Sequence, residues 1–272
     1  MSEIRRDLPS MPIPLTDPHL QLVDTHCHLD APGLAERLPD ILAAARLQGV
    51  QRYVVPGVEA VHWPRVAAIA DRALGIFPAF GLHPLHANSY SPLLLERLAA
   101  MLPGAVAVGE IGLDYLVDDV PRELQAEAFR RQLRMSVQAG LPVLIHCRRA
   151  FNDLLSILRE ERVEAVGGIM HAFSGSPETA RECIRLGLLI SIAGPVTFAN
   201  AVRPRRIAAE LPLAHLVIET DAPDLTPEPY RGLPNEPSFL PQIARTVAEI
   251  KGVTLAEVAG TTTANVTRLL RI

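Results

Sequence analysis

Lysine is almost missing from this chain: Lys251 is the only one, so nearly all of the 26 basic side chains are arginines. Any site that needs a lysine upstream of residue 251 is thereby excluded. Cysteine is scarce and widely spaced, at Cys27, Cys147 and Cys183, which excludes a disulfide scaffold and points to a reducing compartment. Aromatic residues make up only 4%, too few for a long stacking channel that would hold a single strand processively. No run approaches the roughly 18 apolar residues of a membrane span. Residues 1–19 carry Pro9, Pro12, Pro14 and Pro18 without the apolar core of a signal peptide, so a cytoplasmic location is expected. Basic charge shows no excess either. With 30 acidic residues the formal charge is −4, which excludes an indiscriminate basic coat for nucleic acid but leaves room for local arginine clusters.

What is present is a large apolar fraction, 49% of 272 residues, enough for one globular domain. Short β-rich runs alternate with longer amphipathic stretches. Strands are expected near Leu20 to Asp24, Gln51 to Val55, Ile76 to Phe80, Ala105 to Gly109, Pro142 to Ile145, Gly167 to Met170, Leu188 to Ile192 and His215 to Glu219. Stretches such as Ala35 to Arg46, Glu123 to Gln138 and Ala150 to Leu158 have helical spacing. Two more helices are expected after a proline-rich loop, one starting near Ser238 and one entered through Thr261 to Thr263. Eight such βα units predict an α/β fold, a (β/α)8 TIM-type barrel over residues 20–272, preceded by a proline-rich extension at 1–19. An open doubly wound sheet is the alternative, but no glycine-rich phosphate loop follows the first strand.

The chemistry-bearing residues gather at the expected strand ends. His26 and His28 follow the first strand two residues apart, a spacing that presents two imidazoles on one side of an extended chain. Glu110 ends the fourth strand, His146 the fifth, His171 the sixth and Asp221 the eighth. In a barrel all six groups would meet at its mouth. Four nitrogens and two carboxylates are too many for one tetrahedral zinc and suit two divalent ions about 3.5 to 4 Å apart, bridged by a carboxylate. Glu110, on a middle strand, is the natural bridge. A water shared by two cations loses its proton near neutral pH, and Asp221 is placed both to ligate and to take that proton.

The segments Asp24-Thr25-His26-Cys27-His28-Leu29-Asp30, Gly109-Glu110-Ile111-Gly112-Leu113-Asp114-Tyr115, Ile145-His146-Cys147-Arg148, His171-Ala172-Phe173-Ser174-Gly175, Glu219-Thr220-Asp221-Ala222-Pro223 and Asn235-Glu236-Pro237 resemble the successive signatures of the TatD family of metal-dependent deoxyribonucleases. They run in the family's order from near residue 20 to the C-terminus, and the stretch Gly109 to Asp119 and the region of Pro195 are most similar to the YjjV-like branch. The resemblance implies an amidohydrolase-like barrel, divalent-metal hydrolysis of phosphodiesters and a DNA substrate, and the mixed histidine and carboxylate ligands admit Mg²⁺, Mn²⁺ or Zn²⁺. It assigns His26, His28 and Asp221 to a first metal, His146 and His171 to a second, and Glu110 to both. Two features depart from the family: the extension before residue 20, and Leu233-Pro234, where a basic residue is often found.

Other candidates surround this set. Glu219 either orients a ligand histidine from below or is simply a hydrogen-bonded interior acid. His83 either hydrogen-bonds a phosphate or caps its loop. Arg148 is expected where the chain leaves the fifth strand, so that its guanidinium folds back over the mouth as a phosphate fork. Arg149 reads as a solvated helix-start residue, and Arg203, Arg205 and Arg206 form a basic cluster that either faces water or guides a strand. Tyr115 or Phe173 is expected to stack one base at most, while Cys27 and Cys147 are turned away from the interior by strand alternation. Membrane contact and an obligate protein partner are not expected. Rival functions are a C–N-cleaving barrel amidohydrolase, an esterase on an RNA-linked acyl group, and a metal-binding barrel used for interaction; the lysine-bridged form of the first is excluded by composition.

Overall fold

A computed structural model describes residues 20–272; the proline-rich stretch 1–19 lies outside the described residues. Eight strands, β1 (Leu22–Asp24), β2 (Val50–Gly57), β3 (Ile76–Phe80), β4 (Ala107–Asp114), β5 (Val143–Arg148), β6 (Gly168–Met170), β7 (Leu188–Ile192) and β8 (Leu216–Ile218), pair in sequence order, all parallel. Helices α1 (Leu38–Leu47), α2 (Trp63–Arg72), α3 (Pro92–Met101), α4 (Arg122–Ala139), α5 (Phe151–Glu160), α6 (Pro177–Arg185) and α7 (Val202–Glu210) form the crossovers, and α8 (Leu240–Lys251) and α9 (Leu255–Leu270) follow β8. The expected TIM-type barrel is the fold. No helix among the described residues is long and apolar enough to cross a membrane.

Strand period two divides the apolar side chains into an inner and an outer set. Val23, Val54, Ala79, Ala107, Leu144, Ile169, Leu189 and Val217, one from each strand, fill the floor of the barrel, where Val266 and Leu270 of α9 join the same cluster. The outer set, including Leu22, Tyr53, Phe80, Ile111, Ile145, Met170, Ile190 and Ile218, packs under the surrounding helices. The floor is thus apolar and plugged, so polar chemistry is confined to the opposite, C-terminal end. The helix expected to enter through Thr261 to Thr263 instead begins after Thr254, whose hydroxyl accepts from the Glu257 N–H while the Glu257 carboxylate accepts from the Thr254 N–H. That reciprocal cap starts α9 two turns earlier. The threonine run lies inside the helix, with Thr262 Oγ1 bonded to the Val258 carbonyl.

The barrel closes between β8 and β1 mostly beyond the strands themselves. Thr25 N–H donates to the Ile218 carbonyl (3.2 Å), Asp221 N–H to that of His26 (2.9 Å) and His28 N–H to that of Ala222 (2.8 Å). Asp24 clasps this seam: its carboxylate accepts from Thr220 N–H (2.9 Å), Thr220 Oγ1 (2.5 Å) and His26 N–H (3.3 Å). The clasp is fully buried, and burial pushes the Asp24 carboxyl up to about 7 against those donors.

β4 departs from expectation in a way that matters. The strand does not end near Gly109; it runs to Asp114, and between Val108 and Ile111 it carries one residue more than β5 does between Val143 and Ile145. Simple alternation would send Glu110 outward with Val108. The extra residue restores Ile111 and Leu113 to the outer core and turns Glu110 and Asp114 to the inside. Glycine is required on both sides of Glu110. A Cβ on Gly109 would lie 2.5 Å from Leu144 Cβ, and one on Gly112, whose φ is +147°, would lie 1.9 Å from the His146 carbonyl oxygen.

Because Asp24→Ala strands two buried N–H groups and a hydroxyl at the seam, it is expected to destabilise the protein by about 2–4 kcal/mol. Asp24→Asn, which keeps an acceptor, should cost less than half as much. Urea midpoints measure both, and an unchanged midpoint for Asp24→Ala would remove the clasp from the account of closure.

Candidate metal centre

Past Asp24 the chain stays extended, with Cys27 N–H donating to the Val54 carbonyl, so alternation continues through the histidine pair. His26 and His28 therefore both turn inward, ring centroids 5.0 Å apart and edge-on, while Cys27 is buried on the outer side. His171, directly after β6, stacks on His26 with centroids 3.6 Å apart. Glu110 is the hub: its Oε2 lies 3.2 Å from His26 Nε2, and its Oε1 lies 3.1 Å from His146 Nδ1, 3.4 Å from His83 Nε2 and 3.7 Å from His171 Nε2. Asp221 sits three residues beyond β8, not at its end, in the left-handed region at φ +59°, a conformation aspartate tolerates better than most residues. From there its Oδ1 reaches 3.7 Å from His28 Nε2, 3.7 Å from His171 Nε2 and 4.0 Å from His26 Nε2. All six residues expected to hold metal are brought together.

Two further carboxylates set the histidines. Glu219 is fully buried; it accepts from Ser191 Oγ and Ala172 N–H, both at 2.6 Å, and its Oε1 lies 2.9 Å from His171 Nδ1. It thus turns His171 Nε2 toward the centre. Asp114 does the same for His146: its Oδ2 lies 3.0 Å from His146 Nε2, leaving Nδ1 facing Glu110. Asp114 is itself held by the Leu116 N–H (2.9 Å) and by Gln125, which brackets its backbone. Sequence reasoning missed Asp114. The available signal was its place four residues after Glu110 on one extended run, which keeps both on one face.

His83 is also present but differs in kind. Its Nδ1 accepts from Leu85 N–H (3.1 Å), so its proton resides on Nε2, which faces Glu110 as a donor rather than as a lone pair. Arg148 is not beyond its strand as expected. β5 runs through it, two residues past His146 and on the same face, and its exposed side chain lines the cleft. That cleft, about 550 Å³, is walled by His28, Asp30, His62, Arg65, His86 and Asp224 besides the central residues. Asn235 pins the loop that carries Asp221, donating from Nδ2 to the carbonyls of Thr220 (2.8 Å) and Asp224 (2.6 Å).

Other candidates do not reach the centre. Arg206 pairs with Glu210 (2.7 Å) and Arg205 donates to the Val196 carbonyl, so Arg203, Arg205 and Arg206 do not act as one patch. Phe173 is buried edge-on against Phe151, and Tyr115 has Arg122 over its ring and its hydroxyl on Asp153 (2.6 Å). Burial pushes the Cys147 thiol up to about 12 and that of Cys27 well above its usual range, so neither is a nucleophile.

The donor set fits divalent cations. Both ring nitrogens of His26 are buried; Nδ1 has no hydrogen-bond partner and Nε2 faces only the carboxylates of Glu110 and Asp221, an expensive arrangement for protein groups alone and the ordinary one for a ligand awaiting its ion. Four carboxylates converge on the site. Burial opposes charge on His171, yet Glu219, Asp221 and Glu110 together raise it to about 10. Glu110 is held well below the usual carboxylate range despite its burial by His83, His26 and His171. A proton on His171 here meets the demand for positive charge that a divalent cation would satisfy. Ligand-distance groups are formed by His26, His28 and Asp221, by His26, His171 and Glu219, and by His83, Glu110 and His146. The His83 tautomer argues against ligation in the last.

Comparison with known proteins agrees. Residues 23–271 match the model of the TatD related DNase family. The metal-dependent hydrolase YabD of Bacillus subtilis, itself uncharacterized, is 42% identical over 254 residues, covering 92% of this chain and 99% of that protein. The crystal structure of YjjV, a TatD homologue from Escherichia coli, superimposes with a TM-score of 0.89 at 34% identity, covering 93% of this chain and 99% of that one. A TatD family hydrolase from Entamoeba histolytica, 21% identical with a TM-score of 0.83 over 92% of this chain and 97% of that one, shares the fold.

Since the carboxylates around His171 raise it to about 10 and it must lose its proton to ligate, loading with Mn²⁺ or Zn²⁺ at pH 8 should release at least one proton per chain. Calorimetric titration in two buffers of different ionisation enthalpy counts it. Binding without proton release would show that His171 is not a ligand.

Proposed function

This chain belongs to the TatD related DNase family of metal-dependent hydrolases, and from that premise we propose that it hydrolyses phosphodiester bonds of DNA, removing nucleotides stepwise from a 3′ end. The observation that carries this reading is Glu110, whose two oxygens face different histidines: Oε2 toward His26, Oε1 toward His146 and His171. A carboxylate so divided suits two divalent ions, Mg²⁺, Mn²⁺ or Zn²⁺. His26, His28 and Asp221 would hold one, His146 and His171 the other, and Glu110 both. Bound there, the cations supply Lewis-acid polarisation of the phosphoryl group and acidify the attacking water.

The chain's own residues do the rest. Asp221, fixed over the mouth by its left-handed backbone, accepts the proton of the attacking water. His83 offers its Nε2–H to a phosphate oxygen, and Arg148 at the rim grips two non-bridging oxygens through its planar fork. Glu219 and Asp114 keep His171 and His146 in one tautomer and orientation. The scarcity of aromatics and the negative net charge favour short contacts with a strand end over a long processive track. A cytoplasmic setting suits the three free thiols.

Single-stranded DNA, duplex DNA, RNA, small phosphodiesters, acyl esters and cyclic amides, each with Mg²⁺, Mn²⁺ and Zn²⁺, form the test. Mononucleotides from DNA ends are expected, and turnover of an amide or acyl ester with no nucleic acid cleaved would overturn the reading. Asp221→Asn should retain the fold and lower kcat by about 10² to 10⁴; near wild-type kcat would reduce Asp221 to a ligand. Arg148→Ala is expected to leave metal content unchanged and lower kcat/KM on phosphodiesters by about tenfold to a hundredfold, with Arg148→Lys recovering part. An unaffected kcat/KM would place the phosphate grip elsewhere.

A further inference from the structure

Beside the metal cleft lies a second groove, about 430 Å³, walled by Leu116, Arg148, Arg149, Phe151, Ser174, Gly175, Ser176 and Arg203. Arg148 lines both, so the two spaces adjoin at this residue. Three arginines and no acid form this wall. Among the described residues Arg148 and Arg149 make no ion pair or hydrogen bond to a carboxylate, and Arg203 spends one N–H on the Ser174 carbonyl (3.0 Å) while keeping the rest of its fork. The groove also borders the starts of three successive helices: Phe151 is the first residue of α5, Ser176 caps α6 and Arg203 is the second residue of α7. Their positive ends add to the arginine charge. Arg149, left-handed at φ +54°, lines this groove and an adjoining one beside Asp153.

Several arginines elsewhere on the surface are paired with acids. Arg130 and Arg134 pair with Glu161, Arg159 and Arg181 with acids of neighbouring helices, and Arg206 with Glu210. Three guanidinium groups gathered on one acid-free wall beside the metal centre are a local feature that overall composition conceals.

We propose that this groove is a binding subsite for the nucleic-acid strand beyond the scissile bond, in which Arg149 and Arg203 hold the next phosphates while Leu116 and Phe151 supply apolar wall for sugar or base. The inference rests on the phosphodiesterase reading above and deepens it. The preferred substrate is an oligonucleotide with at least two phosphates past the cleaved one, and a lone small diester uses only the metal cleft and Arg148.

Arg149→Asn, which suits the left-handed backbone, Arg203→Ala and the double variant test this. For a 12-nucleotide single strand the double variant should raise KM about tenfold and flatten the slope of log affinity against log salt by about 1.4, near 0.7 for each lost phosphate contact. The kcat/KM for a small chromogenic diester should stay at the wild-type value, which also shows that the fold and metal site are intact. Arg149→Asn alone, a change at a side chain with no internal acid partner, should give about half the effect on slope. If the wild type degrades the oligonucleotide and the double variant matches it in KM and salt slope, the groove is not a strand site while the nuclease reading stands. If the wild type turns over the small diester but no nucleic acid, the nuclease reading fails and this inference with it.

Discussion

One extra residue in β4 sets the geometry on which the site depends. A strand alternates sides strictly, and an unbroken β4 that keeps Val108 in the outer core would commit Glu110 to the helix layer, an untenable place for a carboxylate. The bulge between Val108 and Ile111 lets the same strand satisfy the outer core above and below and still present Glu110 and Asp114 to the mouth. Four imidazoles from four different strand ends then meet one carboxylate. The glycines on either side of Glu110 leave the space this needs, since their neighbours on β5 approach too closely for any side chain.

The resulting cluster is chemically unfinished as a set of protein groups alone. Its carboxylates draw a proton onto His171 that burial alone would expel, and His26 is left with a buried Nδ1 that has no hydrogen-bond partner. Such a set is costly to fold around unless something positive joins it. The surrounding structure bears this cost through fixed supports: the Asp24 clasp at the seam, the Ser191 and Ala172 donors to Glu219, and the Gln125 bracket behind Asp114. Each holds a donor atom in place before any cation arrives, the arrangement that preorganised Lewis-acid sites require.

Arginine in place of lysine shapes the surface as much as the site. Some guanidinium groups pair with carboxylates along the helices, as Arg134 does with Glu161 and Arg206 with Glu210, and the excess of acids over bases leaves the molecule slightly acidic. Those that remain unpaired beside the cleft stand at the ends of β5 and the start of α7, where three helix starts converge. A negatively charged protein can in this way keep a local site for polyanions without coating itself in positive charge.

The sequence by itself determined the barrel, the order of its strands and the identity of the six convergent groups, because apolar periodicity and the position of a polar residue just past an apolar run are local properties of the chain. Strand limits were legible to within a few residues, as at Ile76–Phe80 and Leu188–Ile192. Tertiary structure decided what depends on register and on partners distant in sequence. Glu110 faces inward through a bulge that its glycine neighbours permit but do not announce. Asp114 joins the site only because β5 sets His146 against it, and the His83 tautomer follows from one bond to Leu85. Arg149 and Arg203, separated by more than fifty residues, share a wall only because successive βα units place their loops side by side. Periodicity reads one chain at a time, whereas register and burial are settled between chains of contacts that only closure of the barrel brings together.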